Sequence, residues 1–211
     1  MIPGVDPLRA QQYKTQRGDS PEDLWQPLYD RANIATTVTG QTAFFSTVQG
    51  QSATLIIATA AVTKVKTYRD TNMQNANVVP TKLFKIVGVS LGFVHSTRAA
   101  LTNTTDRSLV MDGSYFQFRI VDKDILFLPS LALPIINPWA MAATTANNSS
   151  IMGDNPGGGQ GVAMYKLPIP ITINPYENFQ CSLVFDLGSG ITLSNTLDVY
   201  CILHAFQRRP T

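Results

Sequence analysis

Along most of this chain apolar side chains recur at every second position, the period of a strand with one buried face. The clearest case is residues 166–186. Leu167, Ile169, Ile171 and Ile173 alternate with Pro168, Pro170 and Thr172. Phe179, Cys181, Leu183 and Phe185 then alternate with Gln180, Ser182, Val184 and Asp186. Asn174-Pro175-Tyr176-Glu177-Asn178 between them supplies turn chemistry. The pattern predicts antiparallel neighbours joined by a corner. Pro168 and Pro170 remove amide donors, which puts the first strand at a sheet edge. The same period runs through residues 114–121, with Phe116, Phe118 and Ile120 opposite Tyr115, Gln117 and Arg119. It returns in residues 197–206, with Leu197, Val199, Cys201, Leu203 and Ala205 inward. A hairpin is expected between Phe45 and Thr59, turning through Gln49-Gly50-Gln51. Residues 62–66 extend it, with Lys64 and Lys66 facing solvent.

Residues 83–94, LFKIVGVSLGFV, are apolar at both parities: Leu83, Val87, Val89, Leu91 and Phe93 on one side, Phe84, Ile86 and Val94 on the other. A strand with water on one side does not read like that. Its second face is therefore expected to meet another element or another subunit, which makes Phe84 and Ile86 candidate subunit contacts. Gly88 and Gly92 mark bulges or close approaches. At the other end of the chain, residues 1–19 have no period and read as an extended arm. Ser20 and Pro21, followed by Glu22 and Asp23, form a helix start. Leu24, Trp25, Leu28 and Tyr29 would share a face of a short helix that Pro27 limits to a turn or two. Residues 69–82 and 96–107 read as polar connections, and residues 131–139 as an edge strand or crossover broken by Pro134 and Pro138. Residues 140–162 carry no core pattern, a length of loop that is usually functional. About eight strands with long crossovers predict an all-β chain, a jelly-roll β-sandwich with an N-terminal arm and one short helix. The expected division is an arm with its helix over 1–40, the sandwich over 41–207 and a tail over 208–211.

The 211 residues are 44% hydrophobic and only 14% charged, with net charge +2. Soluble domains usually carry about 25% charged residues, so much of this surface is expected to be covered by other chains. A charge so small gives no global field for nucleic acid or anionic membrane. No apolar leader stands at the N-terminus, so no secretion signal is expected. The two cysteines, Cys181 and Cys201, lie on apolar strand faces and read as buried thiols, a disulfide being the lesser alternative. His95 and His204 have no second histidine or carboxylate at ligand spacing. Asp122 and Asp124 read as turn formers rather than a calcium site. Residues 153–161 are glycine-rich but lack the Lys-Ser/Thr ending of a phosphate loop. The reading is therefore of a chain that is not an enzyme and holds neither metal nor cofactor.

The segments DTNMQNANVVPTKLFKIVGVSLGF, YKLPIPITINPYENFQCSLVF and LDVYCILHAFQRRP, behind a polar arm, resemble jelly-roll virion proteins of icosahedral bacteriophages, such as small capsid proteins of tailless, membrane-containing phages. The likeness covers most of residues 40–207. It implies a capsid or capsid-associated subunit that is a homo-oligomer and assembles with itself and other virion proteins. It also implies assembly in the host cytoplasm, residence in the virion and proximity to an internal viral membrane without a spanning segment. No specific nucleic-acid recognition is expected. The candidate subunit contacts are Trp25, Leu28, Tyr29, Phe84, Ile86, Pro168 and Pro170. The alternative is a carbohydrate- or receptor-binding sandwich of a phage fibre or spike, with Trp139 and Tyr165 against a glycan.

Overall fold

The structure, a computed structural model, describes residues 22–79, 82–96, 100–135, 164–185 and 190–209. Two antiparallel sheets face each other across one apolar core. The first contains β1 (Glu22–Trp25) and β2 (Leu28–Ile34), which follow one another along one side of β13 (Leu197–Arg209). On its other side β13 pairs with β7 (Leu83–His95), and β7 with β10 (Tyr165–Ile173). The second runs β4 (Gly40–Phe44), β11 (Phe179–Phe185), β8 (Tyr115–Ile120), β9 (Lys123–Pro129). Ranked by chain order, β2, β4, β7, β8, β9, β10, β11 and β13 give 1-8-3-6 in one sheet and 2-7-4-5 in the other. That is the doubly wound Greek key of a jelly roll. Short β3 (Thr37–Val38) pairs with β12 (Ile191–Thr192), and β5 (Ser52–Ile57) with β6 (Ala60–Val65), each as a separate two-stranded sheet. Among the described residues no helix is long and apolar enough to cross a membrane.

The alternation sets the core directly. Leu197, Val199, Cys201, Leu203 and Ala205 of β13 meet Phe179, Cys181, Leu183 and Phe185 of β11, all buried. These two strands lie in different sheets, so the corner between β10 and β11 does not join paired neighbours. It carries the chain from one layer to the other. Tyr176 takes φ 62° there, and Glu177 accepts from the backbone N–H of Asn174 at 2.9 Å.

The two-faced look of β7 has a local cause. Its ladder with β13 pairs His204 with Gly88 and Ala205 with Ile86, so Val87 is skipped. A bulge reverses the side-chain parity. Phe84 and Ile86 before it, and Val89, Leu91 and Phe93 after it, all reach the same core. Phe84 and Ile86 are therefore interior residues, and the expectation that they contact another subunit is corrected. Gly88 itself lies under the start of β10: a Cβ there would stand 2.7 Å from Met164 Sδ and 3.0 Å from Tyr165 O.

Three other expectations change. Trp25, Leu28 and Tyr29 lie on strands, not on a helix, because Leu28 and Ile34 have a strand's worth of core to fill beside β13. The sandwich thus begins by Glu22, well before residue 41, and Arg208 within the expected tail is still paired. Residues 1–21, with the expected arm and the Ser20-Pro21 part of the helix start, lie outside the described residues, and Glu22 and Asp23 belong to β1. The expected connection over 96–107 instead enters α1 (Ala100–Asp112), whose Thr/Asn-rich sequence has no apolar stripe to announce it. Val110 and Met111 anchor its C-terminal turn in the core. Finally, the hairpin turns at Ala58-Thr59, with Ala58 at φ 56°, rather than at Gln49-Gly50-Gln51.

Candidate functional site

The densest polar chemistry is a buried ion cluster beneath the β5–β6 hairpin. Arg31 of β2 and Asp198 of β13 sit on the outer face of the first sheet. Arg31 Nε donates to Asp198 Oδ2 at 2.7 Å, and its Nη1 reaches Asp70 Oδ1 at 3.3 Å. Its guanidinium also lies 5.4 Å from the Tyr200 ring centroid. Lys64 donates to Asp70 at 2.6 Å and Lys66 to Asp30 at 2.7 Å. Both lysines were expected in solvent. Lys66 is buried instead, because unpaired Asp30 on the inner side of β2 would be a costly isolated charge. Burial pushes the Asp30 carboxyl above the usual carboxylate range against the opposing pull of Lys66. At Asp70 burial acts upward too, but hydrogen bonds from Lys64 and Thr67 prevail and hold it below that range.

This cluster is structural. Arg31 Nη2 donates to Ile56 O at 2.6 Å while Asp198 Oδ2 accepts from Ile56 N at 2.7 Å. The pair thus offers β5 one donor and one acceptor, as a neighbouring strand would, and seats the hairpin on the sandwich. Leu55 and Ile56 are buried beneath it, apart from the main core.

The histidines and cysteines are also engaged inside the fold. His95 Nε2 lies 2.5 Å from Asp106 of α1, and Asp106 accepts the N–H groups of Ser194 and Asn195. His204 Nε2 lies 2.7 Å from Ser90 Oγ, and burial lowers its pKa. Cys181 and Cys201 are free, fully buried thiols. Burial, then the neighbouring Cys201, pushes the Cys181 thiol well above its usual value. Asp124 pairs with Arg119 at 3.0 Å on the surface. Among the described residues no three His, Cys, Asp or Glu side chains converge as metal ligands. A cavity of about 280 Å³ opens at one end of the sandwich over Leu28, Met73, Val79 and Phe84, with Gln26 and Gln74 at its wall. It brings no acid–base pair together.

What remains open is surface. β2 lies beside β4, so β9 and β10 share the opposite side of the sandwich. The chain confirms this on leaving β9: Pro134 O accepts from Leu91 N at 3.1 Å, at the β7 edge that β10 also uses. Along this side apolar groups stay in solvent: Ile125, Phe127 (57% exposed), Leu131 (70%) and Ile169 (80%). Phe127 packs on Tyr115 with ring centroids 4.2 Å apart, which fixes it in place without covering it. Ile169 was expected inward. Pro168 and Pro170 interrupt the ladder to β7, the register shifts between Lys166 and Ile171, and the loosened strand turns Ile169 outward. Both prolines are exposed beside it.

The other expected contacts divide. Trp25 is 48% exposed and packs edge-on against Phe206 of its own chain at 5.1 Å. Leu28 is interior, because its inward parity beside Leu203 places it in the core, and is corrected as a contact residue. Tyr29 is half-buried; its hydroxyl donates to Tyr68 O, and burial together with Tyr68 pushes its pKa up to about 12. Tyr165 is half-buried, packed against the core. Trp139 lies outside the described residues. Sequence reading missed Ile125, Phe127 and Leu131, although a strand such as KDILFLP with apolar residues at both parities carries the signal. Comparison of the chain with protein-family models and with curated proteins gives no match.

Proposed function

We propose that this chain is a structural subunit of a virus particle, assembling with copies of itself and with other virion proteins. The observation that carries this reading is the set of large apolar side chains left exposed on β9, just after it and on β10 of a jelly roll: Ile125, Phe127, Leu131 and Ile169. Large apolar groups left exposed in number mark surfaces that other chains cover. The ionisable groups described above are spent on holding the fold together, which supports a building block over a catalyst. Pro168 and Pro170 keep β10 from adding a foreign strand, so contact at β10 is made by side chains.

Native mass spectrometry and electron microscopy of the full chain test the reading. Discrete oligomers or closed shells are expected, and Phe127→Ser with Ile169→Ser should dissolve them while leaving the circular dichroism of the sandwich unchanged. A chain that builds nothing larger than a dimer at high concentration, alone and with other proteins of its particle, overturns it.

A further inference from the structure

The β5–β6 hairpin has two outer edges, and the fold treats them differently. On β5 the outward N–H and C=O of Ile56 are taken by Asp198 and Arg31. Among the described residues β6 pairs only with β5. Ala61 stands opposite Ile56, so by strand alternation Ala61, Thr63 and Val65 aim their N–H and C=O groups away from β5. All three residues are exposed, and among the described residues nothing accepts from or donates to those groups.

Sheet edges are normally blunted by proline, bulges or outward charge. β10 has two prolines and a register shift. β6, AAVTKV, has neither, and its one charge, Lys64, is turned inward to Asp70. Such an edge is a template for another extended strand, since only a strand supplies donors and acceptors at its spacing.

We propose that β6 is a self-pairing edge, at which two copies of this chain join their β6 strands antiparallel across a two-fold axis centred on Thr63. The partner is a second copy because centring the strand on Thr63 sets its one charge, Lys64, against an apolar residue rather than against itself. Thr63 faces Thr63, Ala61 faces Val65, and Val62 faces Lys64, so no like charges oppose one another and the threonines form a favourable cross-strand pair. Three pairs of outward-aimed residues exchange about six N–H···O bonds. The hairpin, marginal as two strands, becomes part of a four-stranded ribbon. The inference rests on the self-assembly reading above and adds an interface distinct from the β9–β10 side.

Directly opposed residues in a hydrogen-bonded antiparallel pair have Cα atoms about 5.5 Å apart, within disulfide reach. Full-length Thr63→Cys is therefore expected to give a disulfide-linked dimer on mild oxidation, while Tyr68→Cys, also exposed but off the axis, does not. Thr63→Lys, which sets two ammonium groups against each other on an exposed position, should weaken dimerisation by roughly tenfold or more in sedimentation analysis. Equal cross-linking of the two cysteine variants, or a Thr63→Lys chain that dimerises like the parent, overturns the edge. Oligomers that persist without Thr63 cross-linking reject this edge and leave the assembly reading standing. A Thr63 dimer that builds nothing larger keeps the edge and rejects that reading.

Discussion

Arg31 shows how one side chain decides the placement of a whole hairpin. It is buried and faces Asp198, Asp70, the carbonyl of Ile56 and the ring of Tyr200. A guanidinium stays charged under all folding conditions, so its partners cannot be relieved by proton transfer from it. Arg31→Met should cost about 3–5 kcal/mol, because Asp198 and Asp70 lose a buried counter-charge. Urea denaturation read by near-ultraviolet circular dichroism measures this. Hydrogen exchange should show the amides of Leu55 and Ile56 losing protection first. Equal loss across the sandwich would mean that the pair does not seat the hairpin specifically. None of this was legible in the sequence, where Arg31, Asp70 and Asp198 stand far apart and Lys64 and Lys66 look like an ordinary wet face.

At the scale of elements, β7 is the most instructive. Its composition announces a buried strand, but the bulge at Val87 decides which side chains enter the core. Gly88 makes that bulge compatible with β10 passing close above it. Gly88→Ala should destabilise the fold by about 1–3 kcal/mol, since Tyr165 O is backbone and cannot swing aside; chemical denaturation of the variant checks this. A glycine in a strand signals a bulge or a close approach, and here it marks both. Helix α1 is the opposite case. It is held by Asp106 pinning the loop at Ser194 and Asn195 and by two apolar residues near its end. Contacts of that kind leave no periodicity to read.

For the molecule as a whole, β11 and β13 carry the middle of the two sheets, and their cysteines meet between the layers. Because both thiols are fully buried in the shared core, they should be inert to a thiol reagent in the native protein. Both should react together across the denaturation midpoint as the sandwich opens cooperatively. Labelling at graded urea with mass readout tests this, and reaction of one cysteine before the other would show that the two sheets separate in stages.

The sequence by itself determined the all-β class, the inward residues of β8, β11 and β13, the edge character of the proline-bearing β10, and the turn that follows it. Each of these depends on neighbours within a few positions, through the two-residue period or the backbone limits of proline and turn residues. Only the tertiary structure decided that the 166–186 corner crosses between layers, that the N-terminal segment is strand, and that a four-charge network of Arg31, Lys64, Asp70 and Asp198 and a separate Lys66–Asp30 pair lie inside. It also decided which apolar residues remain outside: Phe84 and Ile86 enter the core, while Phe127 and Ile169 stay in solvent. Those outcomes depend on residues distant in the chain meeting across strands, where a bulge or a single ion pair overrides the local pattern.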